Sequence, residues 1–263
     1  MIRLGGVASQ TYLVAFPAIK HHFQQQGLEL DWVLYSSWDA LVEAFVRRQV
    51  DIAWNGPLAY LKIKRRLDDP CQVVAMRDID VNLTTAFITH PQSAIRTVND
   101  LKGTRFAFGA RGSVEAGLLA YHFLQQAGIE PEHDLALATF SDERPSPHTD
   151  SQRDVVQRIV SGEYDAGAVS STALARLHVA GVVAPASVRV FWTSPGYSHC
   201  CFTAHSDTDP ALARQITQAF VSMSYDDPLG RTALEAEGCH AFVPGRTAGW
   251  EVLEAVAEAE GLL

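Results

Sequence analysis

Arg111, Ser113 and Glu115 lie two residues apart in the stretch Phe106-Ala107-Phe108-Gly109-Ala110-Arg111-Gly112-Ser113-Val114-Glu115-Ala116-Gly117. The apolar run before Gly109 reads as a buried strand, because a strand covered on both faces need not alternate. Leu118, Leu119, Tyr121, His122, Phe123 and Leu124 then form an apolar-periodic helical segment. A strand, a glycine-and-serine turn and a helix together point unpaired backbone N–H groups at an incoming anion. Arginine adds a bidentate cation to that arrangement. The turn lacks both the GxxxxGK[ST] spacing of a nucleotide loop and the full GxGxxG of a dinucleotide site. The same residues also make an ordinary strand–helix turn, with Ser113 as N-cap and Glu115 in the first helical turn.

Four further clusters can do chemistry. In Ser9-Gln10-Thr11-Tyr12, Thr11 and a helix N-terminus can donate to an anion while Tyr12 packs on the ligand; the alternative is a plain N-cap and a core tyrosine. In Trp54-Asn55-Gly56-Pro57, Asn55 can bond ligand oxygens or nitrogens, or simply turn the chain, and Trp54 can form a wall. Arg144 and His148 occupy a polar, proline-rich loop over 141–151 and can close over a ligand, which a protonated His148 would hold better. Tyr197-Ser198-His199-Cys200-Cys201 offers a wall, a histidine and thiols. A histidine beside a thiol suits a soft metal or a thiophilic oxyanion. On a strand, however, His199 and Cys201 share one face and Cys200 takes the other. No CxxC or HxH accompanies them, so a buried cysteine in a hinge strand is the simpler account, and no metal or cofactor is expected. Arg77-Asp78-Ile79-Asp80 can serve a ligand ammonium, though a solvated loop accounts for it more simply. GxSxG, HExxH and any legible nucleophile–base pair are missing, so no catalytic residue is assigned.

The elements that must position these residues follow from periodicity. Strands are expected at 2–7, 28–35, 50–54, 71–76, 84–88, 106–108, 135–140, 164–169, 188–193 and 200–204, with Phe242-Val243 as a short extra one. Helices fill the intervals between most of them, with Trp38, Leu41, Val42, Phe45 and Val46 on the inner face of the second helix. The 263 residues are enough for one large core or two smaller ones. Two α/β units separated near residue 90, with a helical return after residue 200, give a first lobe over 1–88, a second over 89–200 and a C-terminal return to the first over 201–263. A net charge of −9 argues against a general nucleic-acid binder, and no apolar run approaches the ~18 residues of a membrane span. Four cysteines in a chain of this length are expected as free thiols. The start at Met1 shows no secretory h-region, so the chain as given reads as cytoplasmic, or periplasmic if a leader was removed.

Asp51-Ile52-Ala53-Trp54-Asn55-Gly56-Pro57-Leu58-Ala59-Tyr60, after Arg48-Gln49, resembles the first-lobe signature of PhnD-like phosphate/phosphite/phosphonate substrate-binding proteins. Asp100-Leu101-Lys102-Gly103, Gly112-Ser113, Gly162-Glu163-Tyr164-Asp165-Ala166-Gly167-Ala168 and Thr193-Ser194-Pro195 also resemble that family, in its order. The resemblance implies an α/β, two-lobed type II periplasmic-binding-protein clamshell, each lobe a mostly parallel sheet flanked by helices. It implies a solute-binding protein holding a small polar, anionic or zwitterionic ligand of the phosphonate/phosphate-like oxyanion class between its lobes, as in ABC-importer receptors. Hinge closure would run through 85–89 and 201–204, and the partner would be a transporter permease or a sensor protein. Thr11, Tyr12, Trp54, Asn55, Arg111, Ser113, Glu115, His148, Tyr197 and His199 are the expected ligand-binding residues. The alternative is a cytoplasmic enzyme built on the same fold, acting on a small biosynthetic intermediate. The chain departs from the family where hydroxyls would grip a phosphonate head, since Arg111 and Glu115 flank Ser113. A zwitterionic ligand fits that pair of charges at least as well.

Overall fold

Strand β1 (Ile2–Val7) leads to Ser9, whose hydroxyl accepts from the Tyr12 N–H at 3.3 Å and starts α1 (Gln10–Gln25). Gly27, at φ 77°, stops that helix in the left-handed region where a Cβ would be strained. Next come β2 (Leu30–Tyr35), α2 (Trp38–Val46), β3 (Ile52–Asn55), α3 (Pro57–Arg66) and β4 (Cys71–Arg77). Ser37 caps α2, and Pro57 opens α3 where its missing N–H leaves no bond unmade. The next run comprises β5 (Thr85–Thr89), β6 (Arg105–Ala107), α4 (Leu119–Gln126), α5 (Pro131–Asp134), β7 (Leu137–Thr139), α6 (Ser151–Val160), β8 (Ala166–Ser170), α7 (Ser171–Val179) and β9 (Arg189–Thr193). The chain closes with β10 (Cys201–His205), α8 (Pro210–Val221), α9 (Pro228–Glu237), β11 (Phe242–Pro244) and α10 (Glu251–Ala259). This computed structural model describes residues 1–68, 71–145 and 149–263.

The chain forms two α/β units, 1–82 with 197–263, and 83–196. Residues 83–88, expected in the first unit, belong to the second, because β5 pairs with β8 and β9 there. Likewise 197–200 group with the first unit. The first sheet has the order β11-β4-β10-β3-β1-β2 and the second β7-β6-β8-β5-β9. Both are mixed rather than mostly parallel. β1 runs parallel to β2 and β3, and β6 to β7 and β8, as helical crossovers require. β10 is antiparallel to β3 and β4, and β5 to β8 and β9. Each of these two is the first strand after the chain passes from one unit to the other.

In the first unit an aromatic column fills one face of the sheet. Trp54 stacks on Phe202 at 4.2 Å, Phe202 packs on Phe220 at 4.3 Å, and Phe220 meets Phe23 at 4.9 Å. The other face buries Leu41, Val42, Phe45, Val50, Ala53, Ala59 and Ile63. Paired glycines in β1 let both layers close in: a Cβ at Gly5 would meet Leu41 at 2.8 Å, and one at Gly6 would meet Phe16 at 2.7 Å. The second unit has its own core of Ala86, Ile88, Ala107, Val155, Val156, Ile159 and Val169, with Leu174 and Leu177 from α7. Phe220→Ala is expected to lower the unfolding free energy by about 3–5 kcal/mol, seen as a lower urea midpoint at unchanged slope. A loss under about 1 kcal/mol would mean that the column does not support the unit.

Candidate ligand-binding site

The turn after β6 is built by close backbone approach. Ser113 is the N-cap, its hydroxyl accepting from the Ala116 N–H at 3.2 Å. The chain then makes a π-helical turn, Val114–Leu118, in which the Leu118 N–H reaches back five residues to the Ser113 carbonyl at 2.9 Å. The Gly109 N–H donates to the Ala116 carbonyl at 2.9 Å. Only glycine fits at two of these positions. A Cβ at Gly109 would lie 2.7 Å from that of Ala116, and one at Gly117 would lie 2.4 Å from the Ala110 oxygen. The periodicity of 118–124 is visible in the sequence, but the wider turn ahead of it is not, since one added residue leaves the apolar stripe intact.

The three charged or polar side chains of this turn are differently committed. Arg111 is exposed, with its guanidinium on Glu143 and 4.0 Å above the Phe140 ring, and its N–H donates to Asp142 at 3.1 Å. The bond from Arg111 holds the Glu143 carboxyl below its ordinary range. Glu115 is half-buried: its Oε1 accepts from Gln152 Nε2 at 2.9 Å, and Gln152 Oε1 in turn accepts from the Ser170 N–H at 2.6 Å. The Glu115 carbonyl accepts from Thr85 Oγ1 at 2.7 Å. Gln152, which sequence reasoning did not single out, thus ties the turn to the β8–α7 junction.

Arg144 is not a loop arginine waiting over a ligand. It is buried, bound to Asp154 at 2.8 Å, and donates to the carbonyls of Thr139 at 2.9 Å and Phe108 at 2.8 Å. It fastens the ends of β6 and β7 to α6. Its proline-rich surroundings suggested solvent, whereas the carboxylate that claims it lies one helical turn into the next element. His148 lies outside the described residues.

In the first unit, Ser9, Gln10 and Thr11 are exposed at the start of α1. Tyr12 is half-buried and stacks on Phe16 at 5.2 Å; burial, reinforced by Glu237, pushes its phenol well up. Trp54 is buried beneath the Arg77 guanidinium, 5.1 Å from the ring centre. Asn55 is buried too: Nδ2 donates to the Ala53 carbonyl at 3.1 Å and to Thr203 Oγ1 at 2.7 Å, leaving Oδ1 buried and unpartnered. Beside it α3 begins at Gly56 with no side-chain cap. Trp38, expected on the inner face of α2, is 40% exposed and lies against Gly56, where a Cβ would sit 3.3 Å from the indole. It is the first residue of the helix, so periodicity says little about its side. Tyr197 is fully buried.

The Arg77–Asp80 run is a buried ionic cluster and not a solvated loop. Arg77 donates through Nε and Nη2 to the Asp80 carboxylate at 2.6 and 3.0 Å, and through Nη1 to the Glu237 carbonyl at 3.0 Å. His199 Nδ1 lies 3.2 Å from Asp80 Oδ1 and 3.2 Å from Cys200 Sγ. Burial alone would raise Asp80, but the Arg77 charge and the bonds from His199 and Arg77 hold it low. Burial pushes the Glu237 carboxyl up to about 7 against the opposing pull of Arg77. β10 begins only at Cys201, so strand alternation does not reach His199 and Cys200, and ring and thiol touch. Burial pushes the Cys201 thiol well up.

Two α/β units with turns and helix starts gathered after their parallel strands are the frame of a periplasmic binding protein. Residues 17–250 match the family model described as ABC transporter, phosphonate, periplasmic substrate-binding protein, and the chain belongs to that family. It is 24% identical over 207 residues to the probable ABC transporter phosphite binding protein PhnD1 of Prochlorococcus marinus (strain MIT 9301), covering 76% of this chain and 67% of that protein. Among solved structures it resembles PhnD1 of that organism in complex with methylphosphonate, with a TM-score of 0.71 at 19% identity over 100% of this chain and 98% of the other. A Xanthomonas citri protein bound to ATP gives a TM-score of 0.69 at 16% identity, over 98% and 97% of the chains. A binding protein component of an ABC phosphonate transporter from Pseudomonas aeruginosa gives 0.62 at 14%, over 99% and 86%. Among the described residues, no helix is long and apolar enough to cross a membrane.

Two substitutions test the electrostatics. Arg144→Ala leaves the Asp154 carboxylate buried without its closest partner and is expected to cost about 3–5 kcal/mol, measured by urea unfolding; a loss near zero would place Arg144 outside the framework. Glu237 has a folded-state pKa of about 7, above its ordinary 4.5, so the folded state holds the proton more tightly. Stability from this group is therefore present below pH ~4.5, falls as pH rises to ~7, and is level above that. A difference of about 2.5 pH units corresponds to about 3 kcal/mol. Glu237→Gln should remove that decline, so a variant with the wild-type slope between pH 5 and 7 (on the order of the two pKa values) would contradict the burial argument.

Proposed function

We propose that this chain is the ligand receptor of an ABC importer and takes a phosphonate that also carries a cationic group, an aminoalkylphosphonate. The observation that supports the ligand class is the turn at 109–118, where a helix start faces the same end of the sheet as one exposed arginine and one half-buried carboxylate. First-turn N–H groups have no intrahelical acceptor and favour a phosphonate head. Arg111 adds charge once it turns from Glu143 to the ligand, and Glu115 supplies the counter-charge for an ammonium. Thr11 is the donor assigned to the first unit and the unpartnered Asn55 Oδ1 an acceptor for the ligand's ammonium, with Tyr12, Trp54 and Tyr197 as walls. Ser113 and His148 complete the second unit's set. The permease partner and a periplasmic location belong to the same reading.

Calorimetry and thermal shift against phosphate, phosphite, methylphosphonate, 2-aminoethylphosphonate and an alkanesulfonate distinguish the alternatives. A ligand at 100 times its dissociation constant should add about 2.7 kcal/mol, with 2-aminoethylphosphonate the tightest. Arg111→Ala and Ser113→Ala should each weaken it; affinity rather than melting temperature is the readout, because losing the Ser113 cap itself costs about 1 kcal/mol. Stabilisation by none of the phosphorus oxyanions would end this reading, and turnover of a stabilising compound would replace receptor with enzyme.

A further inference from the structure

We infer that Asp80, His199 and Cys200 form a binding site for one thiophilic divalent cation of the zinc type, in the first unit, where Cys200 packs on the same core cluster as Tyr12. The three ligand atoms, Asp80 Oδ1, His199 Nδ1 and Cys200 Sγ, lie within 4.8 Å of one another in the first unit. The two spacings about the imidazole nitrogen suit a metal, and the carboxylate oxygen and thiol sulfur lie within 4.8 Å of each other. Zn–O and Zn–N bonds of about 2.0–2.2 Å and a Zn–S bond of about 2.3 Å place tetrahedral ligand atoms roughly 3.3–3.7 Å apart, and both contacts of the imidazole nitrogen measure 3.2 Å.

The donor set is mixed oxygen, nitrogen and sulfur, which zinc accepts readily and calcium or magnesium does not. A thiolate and a carboxylate with a neutral imidazole carry two negative charges, one of them shared with the Arg77 guanidinium, so the thiolate is the charge a cation would chiefly answer. Protons satisfy the same three atoms less completely. With its proton on, Nδ1 donates and leaves the thiol unserved; with its proton off, Nδ1 sets a lone pair against the carboxylate. One cation bonds all three at once.

The ligands are also held in place. Arg77 fixes both Asp80 oxygens and leaves Oδ1 a second lone pair. The His199 N–H donates to the Asp80 backbone carbonyl at 3.0 Å, which sets ring against carboxylate. Such outer bonds orient metal ligands and typically alter affinity 10–100-fold. Asp80 is buried, while His199 and Cys200 are each only half-buried, so an ion can enter from their side. Three protein ligands leave the fourth position to water.

The test uses the full chain stripped with EDTA. Zinc competition against a chromophoric chelator should show one tight ion per chain, and cobalt should give the near-ultraviolet charge-transfer band of a thiolate ligand. Cys200→Ser and His199→Ala should each weaken zinc at least about tenfold and abolish the cobalt band, whereas Cys71→Ser, elsewhere in the same unit, should keep both. Circular dichroism of the stripped variants checks that they fold; the wild-type cobalt band carries the test if one does not. No zinc bound at micromolar concentration, a cobalt complex with no thiolate band, or zinc affinity unchanged in both ligand variants would overturn the site. Aminoalkylphosphonate affinity measured in EDTA is independent of all these outcomes, so this inference and the receptor reading fail separately.

Discussion

The central sheet of the first unit depends on one strand that arrives late. β10 sits between β3 and β4 and is buried along its whole length, yet 114 residues of the second unit separate it from the β-strands it joins. Without it, β4 and β11 have nothing to pair with on the side of β1 to β3, and Trp54 loses Phe202. Unpaired backbone groups inside a sheet are costly, so the unit is complete only when its two chain segments meet. The second unit, by contrast, is one continuous segment, 83–196.

This division explains where the polar side chains sit. The Arg77 cluster draws Asp80 from the end of the first segment, and His199, Cys200 and Glu237 from the second. It therefore joins the two segments that build the sheet, with guanidinium–carboxylate bonds at the seam. Buried ion pairs return little net stability compared with apolar packing, but their geometry is demanding. Across the seam itself the contacts are Arg77 to Glu237 and Asp80 to His199.

Much of the fold could be read from sequence because it rests on local chemistry. β1 has the bounds its pattern predicts, and Ser9, Ser37, Ser113 and Ser170 cap the helices they precede. Sheet direction was less legible: an apolar run says that a strand is covered, not which way its neighbours run. The least legible features were side chains whose partners lie far along the chain. Arg77 and Glu237 are 160 residues apart, so the acidic run around Asp80 looked solvated. Arg144 looked like a ligand clamp for a different reason: Asp154 is only ten residues on, but the polar, proline-rich loop between them suggested solvent. Of the residues expected at the ligand, Arg111, Ser113 and Glu115 do share one turn, whereas Asn55, Trp54 and Tyr197 are buried.

The π-helical turn at 114–118 has an implication for how this chain can change in length. A π turn is an α turn with one residue to spare, so deleting a single residue there would let the helix continue as α with its bonds intact. Each residue of an α-helix turns the chain by roughly 100°. Such a deletion would keep α4 seated in its core and β6 paired in its sheet, and would rotate the residues of the turn between them, Ser113 and Glu115 included, about the helix axis. Loss of one residue at this place would thus spare the fold and redirect the donors.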